Sequence, residues 1–135
     1  MSLFFFVPEN DDEKFVEKSD KKKIDSLADK RYNKKKYLNR RPSYGKDQIL
    51  AVWNYAKSLG RGKVTDPTGK EIIWDISKSR NGQWDMGHIP GQKYSIMHKK
   101  YLNDEITKEE FVNWYRDPSN YRPELPSTNR SHKYE

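Results

Sequence analysis

The chain has 135 residues and no cysteine. A disulfide framework and a cysteine-based zinc knuckle are therefore excluded. Apolar residues are also scarce, at 33% against 35% charged. The core must be small, and it must lean on the four Trp, nine Tyr and five Phe, each of which buries a large area. Long apolar runs are missing too. Leu3-Phe4-Phe5-Phe6-Val7 is too short to span a bilayer and lacks the basic flank and length of a signal peptide. With no export signal of its own, the chain is expected to be cytoplasmic or a piece of something larger. Its length suits one domain of ordinary size.

Positive charge is present in excess. The net charge of +7 favours a polyanionic partner: nucleic acid, an anionic membrane surface or an acidic protein. Much of this charge sits early, in Lys21-Lys22-Lys23, Lys34-Lys35-Lys36 and Arg40-Arg41, after the acidic run Glu9-Asn10-Asp11-Asp12-Glu13. Residues 1–41 read as a basic, flexible linker. The alternative is an arm that tracks phosphates, with Tyr32 and Tyr37 stacking on bases. The folded domain is then 42–135.

Within that domain, Ile49, Val52, Trp53 and Ala56 recur at three- and four-residue steps and predict a helix over 46–58, ended by Gly60 and Gly62. Lys63-Val64-Thr65 and Glu71-Ile72-Ile73-Trp74 flank the turn Asp66-Pro67-Thr68-Gly69, which predicts a hairpin. A polar loop over 75–82 carries Lys78 and Arg80, two cations placed to reach phosphates. A helix over 92–103 carries His98, read as a packing residue. Thr107 and Glu110 form a capping box, which accounts for Glu109 and Glu110 without any catalytic role. That helix stops before Asp117-Pro118.

Two stretches are dense in chemistry. In Gln83-Trp84-Asp85-Met86-Gly87-His88-Ile89-Pro90-Gly91, alternation predicts a strand with Trp84 and Met86 on one side and Asp85 and Gly87 on the other. Pro90 and Gly91 stop it, which leaves His88 at a strand end, held by a sheet and open to solvent, as a general base requires. The second stretch runs from Asn120 through Tyr121-Arg122-Pro123-Glu124-Leu125-Pro126 to Asn129, Arg130 and His132. It predicts a short extended piece, then a helix capped by Ser127 or Thr128, with Asn129 and His132 three apart on one face. The two stretches are expected to meet as one metal-assisted nuclease site. Phosphodiester hydrolysis needs an activated water and positive charge on the phosphate. His88 suits the first task. For the second, Asp85, Glu124, Asn129 and His132 carry ligands for one divalent cation, with Arg80, Arg122 and Arg130 available to the phosphates. Each residue also has a structural reading: Asp85 as a turn cap or partner of Arg80, Glu124 as a partner of Arg122 or Arg130, Asn129 as a helix-start residue.

From about Arg41 to Glu135 the sequence resembles the HNH/endonuclease VII superfamily. Gly87-His88-Ile89-Pro90 is similar to the family pattern in which a metal ligand is followed at once by the base His and an apolar-Pro pair. The resemblance implies an α+β fold: a small ββα-metal (HNH, or His-Me finger) nuclease core with added helices and a β-hairpin. It implies His88 as base, Asn120 as the residue bracing the base and its loop, and Asn129 as a metal ligand. The usual ligand before the base is here Gly87. Glu124 is the candidate replacement and Asp85 its competitor. The combination looks like the GH-E branch, named for a Gly-His pair and a downstream Glu, found as C-terminal toxin domains of bacterial polymorphic toxins. The implied cofactor is one divalent ion, Mg2+ or Mn2+ ahead of Zn2+. The implied protein is a monomer, secreted or delivered as part of a larger toxin and acting in the target-cell cytoplasm. Its expected partners are nucleic acid, DNA ahead of RNA, and an acidic immunity protein that blocks the site. An RNase of the same fold and a non-catalytic nucleic-acid-binding module are the rivals.

Overall fold

The computed structural model describes residues 35–135. Most of the expected linker, including Tyr32, lies outside these residues. By Cα packing they divide into two compact units: 43–94 with 113–135, and 35–42 with 95–112.

The larger unit begins with α1, Gln48–Leu59. It starts two residues later than its periodicity predicts because Asp47 turns left-handed, at φ 59°. No side chain caps it; buried Gln48 instead ties its start to neighbouring segments, its Oε1 accepting from Gly45 N at 2.7 Å and its Nε2 donating to the Tyr115 carbonyl at 3.0 Å. The end is as expected. A Cβ on Gly60 would stand 1.8 Å from the Lys63 carbonyl oxygen, so only glycine lets the chain double back there. A short hairpin follows, β1 (Val64–Thr65) against β2 (Glu71–Ile72), with Val64 and Ile72 paired and both buried. The second hairpin pairs β3, Asp85–His88, with β4, Tyr121–Glu124. Its register is Asp85 with Glu124, Met86 with Pro123, Gly87 with Arg122 and His88 with Tyr121. After β4 comes α4, Pro126–Ser131.

Apolar area is concentrated where the sequence requires it, in aromatics. Val52, Val64, Ile72, Trp84, Met86 and Tyr121 form the buried cluster, with Trp53 and Trp74 packed against it. Trp53, Trp74 and Trp84 form a triangle with ring centroids 5.2–5.3 Å apart, and Trp84 is fully buried. Edge and tilted contacts of this kind suit the ring quadrupoles and add to the gain from area alone.

The smaller unit takes in most of α2 (Tyr94–Leu102) and the first half of α3 (Lys108–Tyr115). The capping box is formed: Thr107 N donates to Glu110 Oε1 at 2.8 Å, and Glu110 N to Thr107 Oγ1 at 3.0 Å. Tyr101 and Phe111 stack at 4.7 Å. Tyr37 packs 6.1 Å from Phe111 and is only 8% exposed, so it is core here and is not offered to nucleic acid, contrary to the arm reading. His98 is a packing residue as expected, its Nε2 2.7 Å from the Tyr37 carbonyl oxygen. The fold class is α+β, as read from the sequence: helices around two small antiparallel sheets. Among the described residues no helix is long and apolar enough to cross a membrane.

Candidate active site

Strand periodicity divides the β3–β4 hairpin into two faces. Asp85, Gly87, Arg122 and Glu124 lie on one; Met86, His88, Tyr121 and Pro123 lie on the other.

The first face gathers charge. Glu124, 4% exposed, leans along the hairpin over Gly87. A Cβ at Gly87 would come within 2.4 Å of the Glu124 carboxyl carbon and 2.5 Å of its Oε2. The glycine is therefore there for space: it leaves the volume that the carboxylate fills. Arg122 Nε donates to Glu124 Oε2 at 2.9 Å, and Arg122 Nη2 to the Tyr134 carbonyl at 2.6 Å. Across the register, Asp85 Oδ2 accepts from Asn129 Nδ2 at 3.1 Å and faces Arg130 Nε at 3.5 Å. Burial drives the Glu124 carboxyl above its ordinary pKa. The hydrogen bond and charge of Arg122 oppose this, while the charges of Asp66 and Glu135 add to it.

Helix α4 delivers Asn129 to this face, and its anchoring was not legible in the sequence. Neither Ser127 nor Thr128 caps the helix: the N-cap is Leu125, which has no side-chain cap, and Pro126 occupies the first turn. The acceptor comes instead from the β1–β2 turn. Asp66, 3% exposed, accepts from Leu125 N through Oδ2 at 2.8 Å, and from Thr128 Oγ1 at 3.1 Å and Thr68 N at 2.8 Å through Oδ1. Burial raises the Asp66 pKa, but these hydrogen bonds outweigh it and hold the carboxyl below its ordinary value. In the sequence Asp66 is the first residue of a turn, and within that turn its carboxylate meets Thr68 N. A partner some sixty residues away leaves no local signal.

On the second face, His88 is 7% exposed and not open to solvent as expected. Its ring lies parallel to Trp114 at 5.2 Å, with Tyr121 at 4.5 Å and Tyr94 at 6.2 Å. The aromatics that wall it in come from separate segments. Asn120 sits where a bracing residue should: its carbonyl accepts from Ile89 N at 3.0 Å, and its amide donates to the Trp114 carbonyl at 3.0 Å. It thereby ties the loop after His88 to the residue that stacks on the imidazole.

Two further expectations need correction. His132 does not share a helical face with Asn129. The helix ends at Ser131, and His132 turns left-handed (φ 58°) with Nδ1 3.0 Å from Glu135 Oε2. Arg80 is committed to the core, its Nη1 2.7 Å from the Trp84 carbonyl and its guanidinium 5.4 Å from the Trp84 ring centroid. Asp85 pairs with Arg130, not Arg80.

Among the described residues no three Asp, Glu or His side chains gather as a metal cluster, so the expected set with His132 is not assembled. The structure pairs Asp85 with Glu124 across the hairpin and joins the Asn129 amide to the Asp85 carboxylate. These are oxygen donors suited to a hard divalent ion such as Mg2+, which keeps several waters and needs few protein ligands. Zn2+ favours imidazole and thiolate, which this face lacks.

No solved structure matches the chain. Residues 61–135 match the family model described as GH-E, an HNH/ENDO VII superfamily nuclease with conserved GHE residues. The β3–β4 hairpin, which carries Gly87, His88 and Glu124, lies wholly within the matched span. The match takes in more than half of the sequence, and on that ground the protein belongs to the GH-E family of HNH/endonuclease VII superfamily nucleases.

Proposed function

We propose that this nuclease is a metal-dependent endonuclease that cuts DNA as the effector domain of an antibacterial toxin. The observation that carries the metal-dependent reading is the cradle at Gly87, where a missing side chain leaves room for a buried carboxylate opposite a second one. Glu124, Asp85 and Asn129 would hold one Mg2+ or Mn2+. When bound, that ion supplies positive charge against the scissile phosphate and the departing oxygen. Arg122 and Arg130 add charge for flanking phosphates. His88, at the last rung of β3, would take the proton from the attacking water. Trp114 fixes the plane of the ring, and Asn120 fixes the loop beside it. The +7 chain suits a nucleic-acid substrate, and an acidic immunity protein is the matching partner for a toxin delivered into a target cell.

The test is cleavage of plasmid DNA and of total RNA with Mg2+, Mn2+ or EDTA, run beside His88→Ala and Glu124→Gln. DNA cleavage that needs metal and is lost in both variants supports the reading. RNA cleavage alone moves the substrate to RNA. Retarded migration of both nucleic acids without cleavage makes the domain a binding module.

A further inference from the structure

Glu124 and Asn129 belong to different elements, β4 and α4, joined only through Leu125. A six-residue helix is too short to hold its own direction in water. Its first turn has Pro126, which lacks an N–H, and no local side chain caps it. Its orientation must therefore be imposed from outside, and one side chain reaches both parts of the joint. Asp66 Oδ2 takes the Leu125 N–H, one residue past Glu124, and Oδ1 takes the Thr128 hydroxyl, one residue before Asn129.

Asp66 is itself firmly seated. Its N–H donates to the Lys70 carbonyl at 2.7 Å, and its own carbonyl accepts from Gly69 N at 2.8 Å across a turn where Gly69 has φ +92°. The carboxylate is thus a two-point clamp mounted on a rigid turn. We propose that Asp66 is a positioning residue for the cation site: through Leu125 and Thr128 it sets the separation of Glu124 from Asn129. It touches neither substrate nor reacting atoms. The inference rests on the metal-dependent reading above.

Asp66→Ala removes all three hydrogen bonds and risks the fold, so the working variant is Thr128→Val. It deletes one hydroxyl at nearly constant volume and leaves Asp66 in place. The experiment titrates Mn2+ into the whole chain, reading paramagnetic broadening of backbone and Asn129 side-chain amides, with thermal melts and Thr128→Ser alongside. The expected result is about tenfold weaker Mn2+ binding in folded Thr128→Val, a comparable or larger loss in Asp66→Asn, and recovery in Thr128→Ser. Wild-type affinity in both folded Thr128→Val and folded Asp66→Asn overturns the inference and leaves the metal site standing. A wild-type chain that shows no Mn2+ broadening at 124–129 removes the metal-dependent reading, and the inference falls with it.

Discussion

Asp85, Gly87, Arg122 and Glu124 on one face of the β3–β4 hairpin, and Met86, His88, Tyr121 and Pro123 on the other, are built from the same few residues of strand in opposite ways. The charged face is held open by an absence, the missing side chain of Gly87, and by hydrogen bonds that arrive from Arg122, Asn129 and Asp66. The aromatic face is closed by contact, with rings packed around an imidazole. Carboxylates need directional partners and room, because burying them costs free energy unless they are paired. The imidazole of His88 lies against flat rings that fix its plane. One face is therefore sensitive to volume and charge, the other to shape.

That contrast can be broken most severely at Gly87. Gly87→Ala forces the Glu124 carboxylate out of its cradle. Cleavage should fall at least about 100-fold, since a displacement near 1 Å can cost that much, while stability falls by about 1–3 kcal/mol from overpacking. Cleavage kinetics and a urea titration on the same preparation check both. On the other face, Trp114→Ala should cost about 2 kcal/mol as a partly buried aromatic truncation. It should lower cleavage without weakening Mn2+ binding. Equal damage to both readouts would mean that the two faces are not independent.

A smaller effect sharpens the contrast through pH, measured in EDTA on the metal-free chain. The folded pKa of Asp66 is lowered, so its stabilisation is complete above the unfolded value of about 4 and is lost as pH falls through the lower folded value. The folded pKa of Glu124 is raised, so its contribution runs the other way: fully present below the unfolded value and lost as pH rises through the folded one. At pH 7, Asp66→Asn should melt below wild type and Glu124→Gln at or above it. Melts at pH 7 and pH 3 should show the two differences shrinking together. The smallest effect is expected at Arg130→Ala. Its guanidinium is largely exposed at 3.5 Å from Asp85, and such pairs contribute under about 1 kcal/mol. A melting shift within that range, with reduced DNA binding at low salt, is the expected outcome.

The sequence was most legible where chemistry is local. Period-two alternation placed Asp85 and Gly87 on one face, the Thr107–Glu110 box marked a helix start, and Gly60 marked a helix end. Glu124 lies on an extended segment as read, whereas Asn120, read as the start of that segment, ends a short 3-10 turn, Pro118–Asn120. What failed to show depends on distant segments. The slot around His88 needs rings from positions 94, 114 and 121, none of which announces that it will meet an imidazole. His132 was read by helical spacing, but the helix ends one residue too early. Tyr37 looked like part of a basic arm because charge surrounds it in the sequence, while its packing partners lie more than sixty residues on.

The placement of the four tryptophans gives the molecule a built-in optical signal. Trp53, Trp74 and Trp84 share one core triangle, whereas Trp114 alone lies flat against His88. Light emitted by an indole depends on the charge of whatever touches its face. A chain reduced to Trp114 by Phe substitution at the other three positions would report the protonation of His88 directly by fluorescence. The proton that the catalytic reading assigns to that ring could then be followed without substrate.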